Sequence, residues 1–151
     1  SLFVRPNMSL AKGRAAEFWY VAQIPKVQPP WPLLLFLHGS DECGPEDGSQ
    51  INRVLTHGPW LPQAQRASGF LVVAPQCSGG EGAAQRGMCW PRLIGDLLLA
   101  IQELCKRYPV DAERIYATGL SMGAFGVWAL AVAFPGLFAA VIPCSGGFSL
   151  P

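Results

Sequence analysis

The sequence predicts an α/β protein built on an open, mostly parallel sheet flanked by helices on both faces. Three observations carry this reading. Four short apolar runs have the unbroken pattern of strands covered on both sides, at residues 33–37, 70–74, 115–118 and 138–142. An amphipathic helical segment separates the second run from the third, and an almost wholly apolar one separates the third from the fourth. With 50% of its 151 residues hydrophobic and only 14% charged, the chain can bury a substantial core. One domain, or a large piece of one, is expected.

Taken in order, residues 17–22 (Glu17-Phe18-Trp19-Tyr20-Val21-Ala22) read as a strand. Pro25 ends it, the proline-rich link Gln28-Pro29-Pro30-Trp31-Pro32 follows, and the strand is expected toward one edge of the sheet. The run 33–37 stops at His38-Gly39 and leads into an acidic, glycine-containing loop. The run 70–74 is halted by Pro75. Ile94, Leu97, Leu98, Ile101, Leu104, Cys105 and Tyr108 recur at helical spacing, with Glu103, Lys106 and Arg107 on the opposite face. Pro91 suits a first turn and Pro109 closes the helix. Residues 122–134 are apolar nearly all round, which predicts a central helix with little solvent contact.

Bulk properties exclude several function classes. A formal net charge of +1, from 11 basic and 10 acidic residues, supplies no field to attract nucleic acid or an anionic membrane. Cys43, Cys77, Cys89, Cys105 and Cys144 are odd in number and form no C-x-x-C pair, so reduced thiols are expected rather than a disulfide framework or a zinc site. The start, Ser1 to Arg5, shows no basic segment followed by an apolar core, so no signal peptide is read and a cytoplasmic protein is expected. No charged residue occurs from Ile115 onward, yet the run 122–134 is shorter than the ~20 residues of a spanning helix and is stopped by Pro135-Gly136.

The chemistry is concentrated in two places. Gly119-Leu120-Ser121-Met122-Gly123 matches G-x-S-x-G between a predicted strand and a predicted helix, the context of a nucleophile elbow. So tight a bend strains its central residue, and positions two away on each side must lack a Cβ. Gly119 and Gly123 meet that need. The bend lifts the Ser121 hydroxyl to a helix amino terminus, where the free N–H of Met122 can stabilise developing negative charge. The second place is Leu37-His38-Gly39-Ser40-Asp41, at the end of the first buried run. A tetrahedral oxyanion needs a second backbone donor from such a loop, and this is assigned to Ser40, with Asp41 as the alternative.

These residues, with Ala74-Pro75-Gln76-Cys77 and Tyr108-Pro109-Val110-Asp111 leading through Arg114-Ile115-Tyr116 to the Ser121 motif, resemble the predicted peptidase and esterase group of the α/β-hydrolases. The resemblance runs from about Leu33 to Gly147. The group is similar to phospholipase/carboxylesterase/thioesterase enzymes and to the catalytic domain of prolyl oligopeptidases. It implies a serine hydrolase acting on a small-molecule ester or a peptide, without cofactor, with Ser121 as nucleophile and Ser40 and Met122 at the oxyanion positions. The family's pattern carries glycine where Asp41 stands.

In that fold the triad runs serine, acid, histidine along the chain. Here the last acid is Glu113 and the last histidine His57. The chain is therefore expected to be the amino-terminal part of an α/β-hydrolase domain lacking its last strands, inactive alone, with an unpaired apolar edge at the strand around Val141. His38 is expected to brace the loop that follows it, and His57 to sit at a helix end where its charge suits the dipole. Asp41, Glu42, Glu46 and Asp47 lack the spacing of a calcium loop and read as a solvated rim, so no metal is expected. Among the aromatics Trp31, Trp60, Trp90, Phe125 and Trp128, the best candidate for an acyl pocket is Trp90, whereas Trp128 reads as core.

Two other functions compete with this one. One is a hydrolase fold without catalysis that binds a ligand or partner, motivated by the missing acid and histidine. The other takes Gly119, Gly123 and Gly126 as a dinucleotide loop. It fails because Ser121 stands where G-x-G-x-x-G needs glycine, and no acid follows about 20 residues on.

Overall fold

The computed structural model describes residues 9–61, 69–78 and 89–147, so the start at Ser1 to Arg5 lies outside the described residues. Six strands form one sheet: β1 (Leu10–Ala15), β2 (Phe18–Gln23), β3 (Trp31–Leu37), β4 (Leu71–Pro75), β5 (Val110–Leu120) and β6 (Ala140–Cys144). Their order is β1-β2-β4-β3-β5-β6. β3, β4, β5 and β6 run parallel, and β1 and β2 form an antiparallel hairpin attached to β4. All four apolar runs form strands, as their unbroken pattern predicts, but β6, expected to be buried, is exposed or half-buried along its length.

One strand escaped the sequence reading. β1 is Leu-Ala-Lys-Gly-Arg-Ala, without the apolar alternation of a half-buried strand. It pairs with β2 across the two-residue turn Ala16-Glu17, Ala15 facing Phe18. The strand expected toward one edge, β2, is second from it.

Helical elements cover both faces. α1 (Cys89–Arg92), α2 (Ile94–Arg107) and α3 (Met122–Ala133) pack on one face, over a core that includes Tyr20, Leu33, Leu35, Leu37, Ile115 and Leu130. On the other face, 3₁₀ turns at Ile51–Leu55 and Gly58–Trp60 bring Ile51, Val54, Leu55 and Trp60 onto Val21, Phe36, Val72 and Ala74. Successive residues of β3 and β4 alternate between these two cores, as the pleat requires. The hairpin is tied to α2 by polar contacts. Arg107 donates to the Arg14 carbonyl at 2.9 Å and to the Tyr20 hydroxyl at 2.7 Å, and the Ala16 N–H donates to Glu103 at 2.8 Å.

α3 departs from expectation. Met122, Gly123, Ala124, Gly126, Val127 and Leu130 are buried, but its far side is open, with Val132 60% exposed. Trp128, expected as core, is half-buried. The reduced-thiol reading is also corrected, because Cys77 and Cys89 are joined as a disulfide. A separation of twelve positions carries no C-x-x-C signature, and the pairing arises only because the end of β4 and the start of α1 converge. Cys43, Cys105 and Cys144 are free thiols.

Candidate active site

The bend from β5 into α3 is built as the spacing of its glycines predicts. Ser121 occupies it alone, with φ 52° and ψ −113°, a conformation that a residue with a side chain adopts only where its surroundings impose it. Those surroundings are specific. The Ser121 N–H donates to Cys144 O at 2.9 Å, and its carbonyl accepts the Ala124 N–H at 2.9 Å, so the end of β6 and the first turn of α3 both grip it. A Cβ at Gly123 would lie 1.8 Å from the Leu37 carbonyl oxygen, and one at Gly119 would lie 2.4 Å from the Gly123 oxygen. Only hydrogen fits at either position, and Ser121 itself is exposed.

The loop after β3 meets this bend. Ser40 opens a short 3₁₀ turn, Ser40–Glu42, preceded by Gly39 in an extended conformation. A Cβ placed on Gly39 would be 3.5 Å from the Leu120 carbonyl oxygen and 3.8 Å from the Ser121 Cβ, so the His38 to Asp41 segment lies beside the serine. Ser40 is half-buried and Asp41 exposed. Met122, at the first position of α3, is buried, and its N–H is among those a helix leaves without an internal acceptor.

His38 is wholly buried and held on two sides. Its Nε2 accepts the Cys77 N–H at 2.9 Å, which requires the proton on Nδ1, and Nδ1 donates to the Gly39 carbonyl at 2.6 Å. Burial depresses its pKa to about 4, partly offset by the bond to Gly39. A neutral, doubly bonded imidazole fixes the turn at Gly39, the bracing role expected of it. Trp90 completes the brace. Its Nε1–H donates to the His38 carbonyl at 3.0 Å and its ring meets the His38 ring edge-on. Trp90 is therefore a core residue and not part of a pocket, since no part of it is exposed. The disulfide joins the two segments that hold His38, Cys77 through its N–H and Cys89 through the adjacent Trp90.

Two further expectations are corrected. Glu42 is not part of a solvated rim: it is 3% exposed, while Asp41, Glu46 and Asp47 are exposed. His57 does not end a helix. It caps the 3₁₀ turn Gly58–Trp60 in an extended conformation, and its Nδ1 donates to the Glu42 carboxylate. The sequence signal for this pair is faint, because the partners lie fifteen residues apart in a loop. Among the described residues no three His, Cys, Asp or Glu side chains come together as a metal site, and no helix is long and apolar enough to cross a membrane.

Comparison with known proteins places the geometry in a lineage. Residues 57–150 match the model of the prolyl oligopeptidase family. A bifunctional acetylxylan esterase/xylanase of Neocallimastix patriciarum is 32% identical over 115 residues, covering 76% of this chain and 16% of that protein. Dipeptidyl-peptidase 5 of Porphyromonas gingivalis is 34% identical over 100 residues, 60% of this chain and 14% of that one. Among solved structures, a thermostable esterase superposes with a TM-score of 0.68 at 28% identity, over 97% of this chain and 43% of the esterase. A feruloyl esterase module of Clostridium thermocellum shares the fold, with a TM-score of 0.71 at 15% identity over 99% of this chain and 58% of that module. The 151 residues thus span less than a fifth of these two curated relatives and about half of the two solved structures.

Proposed function

Because the chain belongs to the prolyl oligopeptidase family of the α/β-hydrolases, we propose that the protein is a serine hydrolase that cleaves a carboxylic ester, thioester or peptide bond through an acyl-enzyme on Ser121. The observation that carries the proposal is the strained backbone of Ser121 between β5 and α3, pressed against the turn at Gly39. Strain of this kind persists only where the surroundings impose it, and it clusters at sites of chemistry.

In this reading the Ser121 Oγ attacks the substrate carbonyl and gives its proton to a histidine. The carbonyl oxygen, now negative, accepts N–H bonds from Met122 and from Ser40, with Asp41 as the alternative to Ser40. Each such donor is worth about 3 kcal/mol in the transition state. Collapse expels the alcohol, thiol or amine, and water then releases the acid by the reverse sequence. His38 is not the histidine, because both its nitrogens are already bonded inside the core. The acid and base that complete this step are assigned to residues of a longer protein, a reading supported by the small share of the curated relatives that these 151 residues span. The acetylxylan esterase and the dipeptidyl-peptidase among the relatives support an acyl substrate and leave ester and amide both open.

A fluorophosphonate probe tests the assignment on the full-length protein. Labelling is expected, together with hydrolysis of a short-chain p-nitrophenyl ester, and both are expected to vanish in Ser121→Ala. Labelling that survives the substitution places the nucleophile elsewhere. A folded protein that never labels is a binding protein on a hydrolase scaffold.

A further inference from the structure

The serine hydrolase reading leaves unexplained a carboxylate buried beside the proposed oxyanion site. Glu42 is 3% exposed, and its Oε2 lies 3.2 Å from where a Cβ on Gly39 would be. The same point is 3.8 Å from the Ser121 Cβ, so the carboxylate oxygen stands within roughly two van der Waals contacts of the Ser121 side chain. A fixed negative charge there opposes the negative charge that develops on the substrate oxygen. A desolvated carboxylate also needs a partner to be tolerated at all.

The structure supplies one. The other carboxylate oxygen, Oε1, accepts from His57 Nδ1, and the ring is half-open to solvent on its far side. The Glu42 backbone is fixed as well. Its N–H donates to Gly39 O at 3.3 Å and its carbonyl accepts Gln76 Nε2 at 2.9 Å. Among the described residues, the other charges that share this neighbourhood are Asp41, exposed on the same turn, and Arg53, whose guanidinium is committed to the Cys43 carbonyl at 3.0 Å. Neither touches the Glu42 carboxylate.

Resting on the serine hydrolase reading, we infer that His57 is a positioning residue. Paired with Glu42, it holds the Gly39 to Glu42 turn against Ser121 and gives a hydrogen-bond donor to a carboxylate that would otherwise stand unsatisfied beside the oxyanion. Glu42 acts through the turn and His57 acts through Glu42, and neither needs to touch the substrate.

The test compares His57→Gln with Glu42→Gln/His57→Gln in the full-length protein, reading kcat and KM on one p-nitrophenyl ester and melting temperature in parallel. His57→Gln leaves the carboxylate uncompensated, so kcat is expected to fall about tenfold to a hundredfold with KM within about twofold. The double variant removes the carboxylate charge as well and is expected to recover most of that loss. A purely structural pair predicts the opposite, a double variant as slow as the single one or slower. That result, or an unchanged kcat in His57→Gln, overturns the inference. If His57→Gln does not fold, His57→Asn takes its place. A parent protein that hydrolyses the ester while the variants fail this pattern leaves the serine hydrolase reading intact. A parent that neither labels nor hydrolyses removes that reading and this one together.

Discussion

At the scale of single residues, the site is organised by what is kept out of water. His38 is neutral because it is buried, and its two bonds, to Gly39 O and from the Cys77 N–H, depend on a single tautomer. Protonation would turn Nε2 from acceptor into donor and set it against the Cys77 amide. The consequence for stability has a definite sign. In the unfolded chain a histidine titrates near ~6.5, whereas folded His38 titrates at about 4. Between those values the unfolded state binds more protons, so stability is full above the upper value and declines as pH falls toward the lower one, by up to about 3 kcal/mol. Denaturant unfolding at a series of pH values is expected to show that slope, and His38→Gln to flatten it. An equal slope in the variant assigns the acid sensitivity to other groups.

At the scale of elements, the parts that repeat a pattern were legible and those defined by distant partners were not. The four parallel strands and α2 announce themselves through unbroken apolar runs and helical spacing. The Ser121 bend was legible because two glycines must flank it at fixed distance, a requirement written into adjacent positions. β5 begins at Val110, five residues before its apolar run, because the polar stretch Asp111 to Arg114 crosses the register shift where Trp31 faces Val110 and Leu33 faces Ile115. Burial of Glu42 was illegible, since it follows from His57 and Gln76 arriving from other segments. β1 was missed because its pairing rests on the hairpin turn rather than on its own residues. That turn holds Ala16 at φ 47°, where a side chain costs roughly 1 kcal/mol. Ala16→Gly is therefore expected to stabilise the protein by about 0.5 kcal/mol, read as a higher denaturant midpoint at constant slope. A lower midpoint would mean that packing of the Ala16 methyl against the core outweighs the backbone term.

At the scale of the whole molecule, the sheet of the described residues is finished on one side and open on the other. The hairpin closes the β4 side with a short polar strand, β1, carrying Lys12 and Arg14, the usual way of blunting an edge. On the opposite side β6 pairs with β5 alone among the described residues, and Ile142 is 66% exposed. The outer side of α3, next to it, presents Val132. An apolar parallel strand with unpaired N–H and C=O groups is a template for another chain. The 151-residue polypeptide expressed alone is therefore expected to self-associate, its weight-average mass in sedimentation equilibrium rising with concentration. Ile142→Lys, which places a charge on the open edge without touching Ser121, is expected to shift that association to higher concentration. A chain that stays monomeric at every concentration would show that β6 is shielded by residues outside those described here. The same edge bears on function, because Cys144, the last residue of β6, accepts the Ser121 amide. The position of β6 therefore also fixes the bend on which the proposed chemistry depends.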